Sequence, residues 1–147
     1  MELILTLPII VVLLVAIFEY GTLMLLQAAV THAATVGARE AGKCSDVNLV
    51  ARVVQSVVRG NCITISDAPG SGTKVILEDG TEGMSIFGDP DLDCQLPTNP
   101  LNPDEVRVTV CIDLAATPLC DPLEDFGFSL MGCHLRASSL VKKEVPP

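Results

Sequence analysis

The chain has 147 residues and a formal net charge of −9, with 49% hydrophobic residues, 3% aromatic residues and no tryptophan. A chain this acidic, with so few aromatic side chains, is a poor candidate for binding phosphate backbones or stacking on bases, so a nucleic-acid partner is not expected. The high apolar content excludes a disordered tail. The length fits one small domain, and six cysteines indicate a compartment that permits disulfides.

The first 43 residues predict one long helix whose two halves have different surroundings. Residues 3–18 carry no charged side chain, and after Glu19 the apolar character continues into an alanine-rich stretch that reaches Ala38. Pro8 is tolerated in an apolar bundle, because neighbouring helices satisfy the freed carbonyl. A helix of this length is roughly 60 Å long, about twice the hydrocarbon core of a bilayer. We therefore expect the first half to span a membrane and the second half to stand outside it.

Two opposing signals leave the orientation of this helix open. No basic residue precedes the apolar block and no small-residue cleavage site follows it, so a cleaved secretory signal is not expected. Arg39 and Lys43 follow the block, and under the positive-inside rule they favour a cytoplasmic head. The cysteines favour export instead. Removal of a basic leader ahead of Met1 would reconcile the two signals.

Two carboxylates, Glu2 and Glu19, lie in or beside the apolar block, where charge is costly and usually marks a partner or a function. Each residue can simply lie at a membrane interface, or it can meet a positive group on a neighbouring subunit. Small residues that suit close helix packing follow them, namely Ala28, Ala29, Ala33, Ala34, Gly37 and Ala38. A stripe at helical spacing is equally compatible with packing on the chain's own head, namely Leu23, Leu26, Val30, Ala33 and Val36.

The N-terminal sequence resembles the TadE-like, or tight-adherence, pilins and pseudopilins. The matching frame is Glu2, Pro8 six residues later, a long Leu/Val/Ile run and then Glu19-Tyr20-Gly21. Residues 27–41 resemble the family's alanine-rich continuation through Gly-Ala-Arg, and residues 135–144 (LRASSLVKKE) resemble its closing strand. The likeness covers about the first 43 residues well and the closing strand weakly, and the middle of the chain carries no specific likeness.

The resemblance implies a structural subunit of a type IV pilus-like filament. It implies a prepilin with a short basic leader, a prepilin peptidase that removes the leader, and a pilus assembly machinery. The subunit would move from the bacterial inner membrane into an extracellular, cell-surface filament for adhesion, in which copies of the chain pack by their helices. Such a subunit is not an enzyme.

The resemblance also implies which residues meet in the filament. Glu2 would neutralise a neighbour's terminal amine. In the family this glutamate stands several residues after the cut, so a start within the mature chain, different processing and a start codon at Met1 stay open as alternatives. The residues expected at the assembly interface are Glu2, Pro8, Glu19, Tyr20, Gly21, Ala29, Ala33 and Gly37.

Beyond the helix domain, residues 1–43, the pattern predicts a globular head at residues 44–147. The head is expected to contain a short helix and a small antiparallel sheet. Together with the long helix, these elements make an α+β fold. Ser45 is a suitable N-cap for an amphipathic helix that Gly60 ends, although its many valines are also compatible with a strand. Strands are expected at 63–65, 74–78, 106–114 and 133–142, and 106–114 alternates apolar and polar faces. Long loops are expected at 81–104, which contains four prolines, and at 115–132.

A head this small has a thin core, so disulfides are expected to stabilise it. The cysteines are Cys44, Cys62, Cys94, Cys111, Cys120 and Cys133, and fifteen pairings are possible. A helix between Cys44 and Cys62 would hold them roughly 20 Å apart, which disfavours that one pair. A zinc site is the weaker alternative, because the chain has no Cys-x-x-Cys pair.

The segment from residue 78 to residue 125 is strongly acidic. It carries twelve acids against one base, Arg107, a net charge of −11. The simplest interpretation is a solvated, repulsive surface that keeps the head soluble. The alternative is calcium, because Asp89, Asp91 and Asp93 alternate along the chain and hard cations prefer such oxygens. A glycine and a distal glutamate in EF-hand register are missing, and no other cofactor is expected.

Catalysis has no support in the sequence, because neither Gly-x-Ser-x-Gly nor His-Glu-x-x-His nor a phosphate-binding loop occurs. The favoured function is therefore a pilin subunit. The second hypothesis is a single-pass anchored protein or minor pseudopilin whose acidic head binds calcium or a partner without forming the filament itself. An anchored hydrolase is the third and weakest.

Overall fold

The computed structural model describes residues 2–43, 46–61, 65–116, 129 and 132–144, with side chains from Thr6 onward and without that of Asn61. The longest element is α1, Glu2–Ala41, a single helix of 40 residues with Pro8 inside its first turns. A proline so near the start removes few intrahelical hydrogen bonds, and the helix continues through it. The predicted long N-terminal helix is confirmed.

The second helix, α2, spans Val47–Val58 and is amphipathic. Its buried residues, Val50, Ala51, Val54 and Val58, recur at helical spacing. Packing of this stripe outweighs the weak helix propensity of valine, so the alternative of a strand is wrong. Asp46 stands at the N-cap, and its carbonyl accepts hydrogen bonds from the backbone of Leu49 and Val50. The predicted cap, Ser45, lies outside the described residues, as do residues 63 and 64 of the predicted first strand.

Four strands form one antiparallel sheet. They are β1 (Thr73–Asp79), β2 (Gly83–Gly88), β3 (Glu105–Asp113) and β4 (His134–Lys142), in the spatial order β2-β1-β3-β4. The registers place Val75 opposite Val110, and Val110 opposite Ala137. The three strands predicted at 74–78, 106–114 and 133–142 are confirmed to within one residue at each end.

The predicted loop at 81–104 needs a correction, because its first part forms β2. All four prolines of the segment come after Gly88, so nothing in residues 83–88 prevents pairing with β1. The turn between the strands is closed by the Asp79 carboxylate, which accepts hydrogen bonds from the backbone of Thr81 and Glu82. Residues 117–128, 130 and 131 of the other predicted loop lie outside the described residues.

The core lies between one face of the sheet and the second half of α1. Leu26, Val30, Ala33 and Ala38 of α1 are buried against α2 and against β3. The helix α2 contributes Val50, Val54 and Val58 to the core. The sheet contributes Val75, Val106, Val108, Val110 and Ile112. The head is therefore built around the end of α1 and is continuous with it.

The opposite face of the sheet is covered by residues 89–99, which we call the strap. Lys74 Nζ donates to the carbonyls of Pro90 (3.1 Å) and Leu92 (2.8 Å). A disulfide joins Cys94 of the strap to Cys111 of β3. Because of this cover, β3 is buried on both faces, including Arg107 and Thr109, and the predicted polar face is not a solvent face.

Candidate assembly surface

The first half of α1 exposes a long apolar surface. Phe18 and Leu25 are 71% and 70% exposed, although both are large and apolar. The other exposed members of this surface are Leu7, Ile9, Ile10, Val11, Leu13, Leu14, Ile17, Tyr20 and Met24. Soluble monomers rarely expose so large an apolar patch, so a membrane or another protein is expected to cover it.

The length of this surface matches a bilayer. The exposed stretch from residue 7 to residue 25 is roughly 28 Å long at 1.5 Å per residue, close to the roughly 30 Å hydrocarbon core. From Leu26 onward one face of α1 is buried in the head. The helix is long and apolar enough to cross a membrane, by its length and composition. It is therefore compatible with membrane anchoring.

Glu19 lies on a different face of α1 from the exposed apolar residues. It is only 5% exposed, whereas its neighbours Phe18 and Tyr20 are exposed. Its carbonyl accepts a hydrogen bond from the Thr22 hydroxyl at 2.8 Å. The structure therefore buries Glu19 within the chain, and its pairing with a neighbouring subunit stays a prediction. The side chain of Glu2, the other predicted carboxylate, lies outside the described residues.

Three of the predicted interface residues are open to a partner. Pro8 and Tyr20 are exposed. At Gly21 an added Cβ would meet no atom within 4 Å in the described part of the chain. A glycine inside a helix costs about 0.5–1 kcal/mol relative to alanine, and the chain's own packing does not require this one. Gly21 thus forms a gap in the apolar surface, between the bulky Phe18 and Leu25.

Two other predicted interface residues need a correction. Ala33 is fully buried, and a Cβ at Gly37 would lie 2.6 Å from Val54 Cγ2 and 3.3 Å from Val108 Cγ1. Both positions serve the close packing of α1 on its own head, so they are not available to another subunit. Ala29, one turn before Ala33, is half-buried. Small residues allow any neighbouring element to approach the helix closely, and in this fold the elements that approach are α2 and β3.

The strap is held to the sheet by charged side chains that were not among the predicted site residues. Arg107 donates to the carbonyls of Pro97 (3.1 Å) and Asn99 (2.7 Å) and lies 3.4 Å from Glu78 Oε2. Arg136 donates to the carbonyl of Gln95. A buried guanidinium is stable only when it is hydrogen-bonded, and these carbonyls satisfy it. The sequence carried one signal of this role, because Arg107 is the single base among twelve acids.

The three aspartates predicted to bind calcium do not act together. Asp89 is buried, and its carboxylate accepts hydrogen bonds from the backbone of Gly72 (2.9 Å) and Asp91 (3.0 Å). The hydrogen bond from Gly72 is the main reason that the pKa of Asp89 lies below its usual value. Asp91 and Asp93 are exposed. Within the described ranges no three His, Cys, Asp or Glu side chains are grouped as metal ligands, so calcium stays a prediction without a coordinating cluster.

The structure shows the bonding state of three of the six cysteines. Cys94 and Cys111 form a disulfide, which confirms that the head is disulfide-stapled. Cys133, just before β4, is exposed and has no disulfide partner among the described residues. Cys44, Cys62 and Cys120 lie outside the described residues. The expectation that Cys44 does not pair with Cys62 therefore stays a prediction.

A family model described as TadE-like protein matches residues 1–39. This match confirms the resemblance of the N-terminal segment to the TadE-like family. It covers the exposed apolar half of α1 and ends two residues before the helix does. No curated protein and no solved structure is significantly similar to the chain. The TadE-like match fits a protein associated with a tight-adherence pilus, and it does not extend to the head.

Proposed function

We propose that the chain is a structural pilin subunit that polymerises through the first half of α1 into an extracellular, type IV pilus-like filament. The observation that carries the proposal is the division of α1 into two parts. The second half is buried in the head, while the first half leaves a bilayer-length apolar surface uncovered. The TadE-like match covers the same segment.

The same surface serves two environments in this proposal. In the inner membrane, lipid covers the apolar side chains before assembly. In the filament, the helices of other copies cover them. Since lipid is as apolar as leucine, helices leave lipid for each other only where they pack closely. The gap at Gly21 between Phe18 and Leu25 offers such a place, because nothing in the described part of the chain fills it.

The remaining partners follow from the resemblance to tight-adherence pilins. A prepilin peptidase and the pilus assembly machinery would act on the chain, and the head would face away from the filament core. The acidic head would stay solvated and have no catalytic role. Adhesion or surface attachment is the expected use of the filament.

Electron microscopy of material sheared from the native cells, with intact-mass analysis of the same sample, tests the proposal. Filaments made of this chain would support it. Retention of the whole protein in the membrane fraction, without filaments, would contradict it. That result would favour the anchored or minor-pseudopilin hypothesis.

Substitution of Gly21 tests the helix contact itself. Gly21→Leu should reduce the filament yield strongly while membrane insertion is unchanged, because leucine fills the gap that a partner helix would enter. Gly60→Leu is the matched control, since a Cβ at Gly60 also meets nothing within 4 Å among the described residues but lies in the head, after α2. Normal filaments from Gly21→Leu would remove this glycine from the proposed interface.

A further inference from the structure

The outer strand β2 is an edge of the sheet with unusual side chains. Its residues, Gly-Met-Ser-Ile-Phe-Gly, include no charge and no proline. Met84 is 55% exposed and Ile86 is 49% exposed. Edge strands normally carry charges, prolines or a cover that blocks pairing with another chain. In the described part of the chain β2 pairs with β1 alone, so on its other side the backbone of Met84 and Ile86 is available for a further strand, whereas the Gly88 N–H already donates to Asp67 Oδ1 at 2.9 Å.

The opposite edge, β4, has a complementary character. It carries Arg136, which donates to the carbonyl of Gln95, and Lys142, whose side chain is 74% exposed although its Nζ lies 3.2 Å from Asp104 Oδ2. Every residue of β4 is exposed or half-buried, including Leu140. The ends of β2 are instead acidic, because the exposed Glu82 precedes the strand and the exposed Asp91 follows it. Opposite charges at two strand edges favour their pairing over the pairing of either edge with itself.

The strand directions also suit a join between two copies. Each neighbouring pair in the order β2-β1-β3-β4 is antiparallel, so β2 and β4 run in opposite directions. Two copies that point the same way and stand side by side would therefore bring β2 antiparallel to β4. A contact of this kind uses two different surfaces and repeats from copy to copy without closing on itself.

The side chains on the strap side of the sheet agree with such a join. The registers place Met84, Glu78, Arg107 and Leu140 in one row across the sheet, and Ile86, Ile76, Thr109 and Ser138 in the next. When the two copies are aligned so that each row continues from one sheet into the next, Met84 comes opposite Leu140 of the second copy. Two residues further along, on the same face, Glu82 comes opposite its Lys142. Apolar and opposite-charge pairs across antiparallel strands are both stabilising.

We propose that the β2 edge of one copy binds the β4 edge of the next, so that the sheets of neighbouring heads join into a continuous antiparallel sheet. The inference rests on the proposed function, because it requires copies that point the same way, as subunits of a pilus-like filament do. It adds a second contact, between heads, to the contact between helices.

Cysteine cross-linking in the assembled filament tests the join. Ile86→Cys and Ser138→Cys together, in one full-length chain, should give a ladder of covalently joined copies under oxidising conditions. Each single variant and the unmodified chain are the controls, since native thiols are present in all of them. The controls should give no ladder. A covalent dimer that forms from Ile86→Cys alone, and that persists when Cys133 is replaced by serine, would mean that β2 meets β2, and it would overturn the proposal.

A charge exchange tests the paired edges independently, because the side chains of Glu82 and Lys142 are exposed. Since Lys142 Nζ also lies 3.2 Å from Asp104 Oδ2, every chain in this test carries Asp104→Asn. In the cross-linking chain, Glu82→Lys should remove most of the ladder, and Glu82→Lys combined with Lys142→Glu should restore it. Failure of the restoring variant would contradict the pairing.

The two proposals fail in different ways. Normal filaments without a ladder would refute the join between heads and leave the pilin function in place. Wild-type protein that stays in the membrane fraction and forms no filaments would refute both.

Discussion

Gly37 is the residue at which α1 approaches its own head most closely. A Cβ there would lie 2.6 Å from Val54 Cγ2, well inside van der Waals contact. The contact explains why a glycine is placed in the buried half of the helix, where it lowers the helix propensity. The two glycines of α1 therefore differ in their surroundings. Gly37 allows α1 to pack closely on its own head, whereas Gly21 has no close neighbour among the described residues.

Gly37→Val should lower the free energy of unfolding by about 1–3 kcal/mol, because the added side chain overpacks the junction with α2. Denaturant unfolding of the full chain in detergent, followed through the signal of the head, measures the effect. Gly21→Val is the control, because it makes the same change in helix propensity without a clash. Equal losses from the two variants would refute the role assigned to Gly37.

Asp79 joins the turn after β1 to the end of β4. Its Oδ1 accepts a hydrogen bond from Lys143 Nζ at 2.7 Å and others from the backbone and hydroxyl of Thr81. Burial by itself raises the pKa of the Asp79 carboxyl. The hydrogen bonds from Lys143, Thr81 and Glu82 outweigh burial, so the pKa lies well below its usual value.

A lowered pKa in the folded state means that ionised Asp79 stabilises the fold above its unfolded pKa of about 4. That contribution is lost as the pH falls from about 4 toward the folded pKa. At pH 7 Asp79→Asn should cost on the order of 1–3 kcal/mol, and the difference from the unmodified chain should shrink as the pH falls below 4. Thermal unfolding at several pH values measures this, with Asp93→Asn at an exposed carboxylate as the control. A pH-independent difference would mean that the charge of Asp79 is not responsible.

At the scale of the elements, the strap decides how the sheet is buried. It replaces the second layer of helices that a small sheet would otherwise need on its outer face. Its attachments are a disulfide, three basic side chains that donate to backbone carbonyls, and the buried carboxylate of Asp89. The prolines of the strap, Pro90 and Pro97, have no backbone N–H to donate, so they prevent the strap from pairing as a regular strand.

The disulfide is the covalent part of this attachment, and it closes a loop with a sequence separation of 17. Replacement of Cys94 and Cys111 by alanine should therefore reduce the stability of the head by about 3 kcal/mol. Comparison of denaturant unfolding for the unmodified and doubly substituted chains measures the loss. Reductant should destabilise the unmodified chain in the same direction. An unchanged midpoint would show that the side-chain contacts hold the strap without the disulfide.

At the scale of the whole molecule, charge and apolar surface are separated along one axis. The apolar surface lies on the first half of α1, and the described acids of the acidic segment, from Glu78 to Asp113, lie in the head. Acidic heads repel one another, so attraction between copies has to come from the helices and from the few basic positions. Three of the chain's nine Lys and Arg residues lie on or just after β4, at Arg136, Lys142 and Lys143. This distribution is the charge basis of the proposed contact between β2 and β4.

The elements with a strong local period could be predicted from the sequence. The apolar run of α1, the valine stripe of α2 and the alternation in β3 are each patterns of neighbouring residues, and all three elements form as expected. The TadE-like likeness was also visible in the first residues of the chain. The strand β2 was missed because its short sequence has little pattern of its own and becomes a strand by pairing with β1.

The sequence by itself thus determined the long helix, its division into an apolar first half and a small-residue second half, and a disulfide-bearing α+β head. Only the tertiary structure decided what those residues contact. Small residues such as Ala33 and Gly37 suit close packing with any neighbour, and the fold assigns them to the chain's own core. The polar face of β3 became buried because a distant segment, the strap, covers it. Local periodicity specifies an element and its apolar face, whereas contacts between distant segments depend on how the whole chain closes.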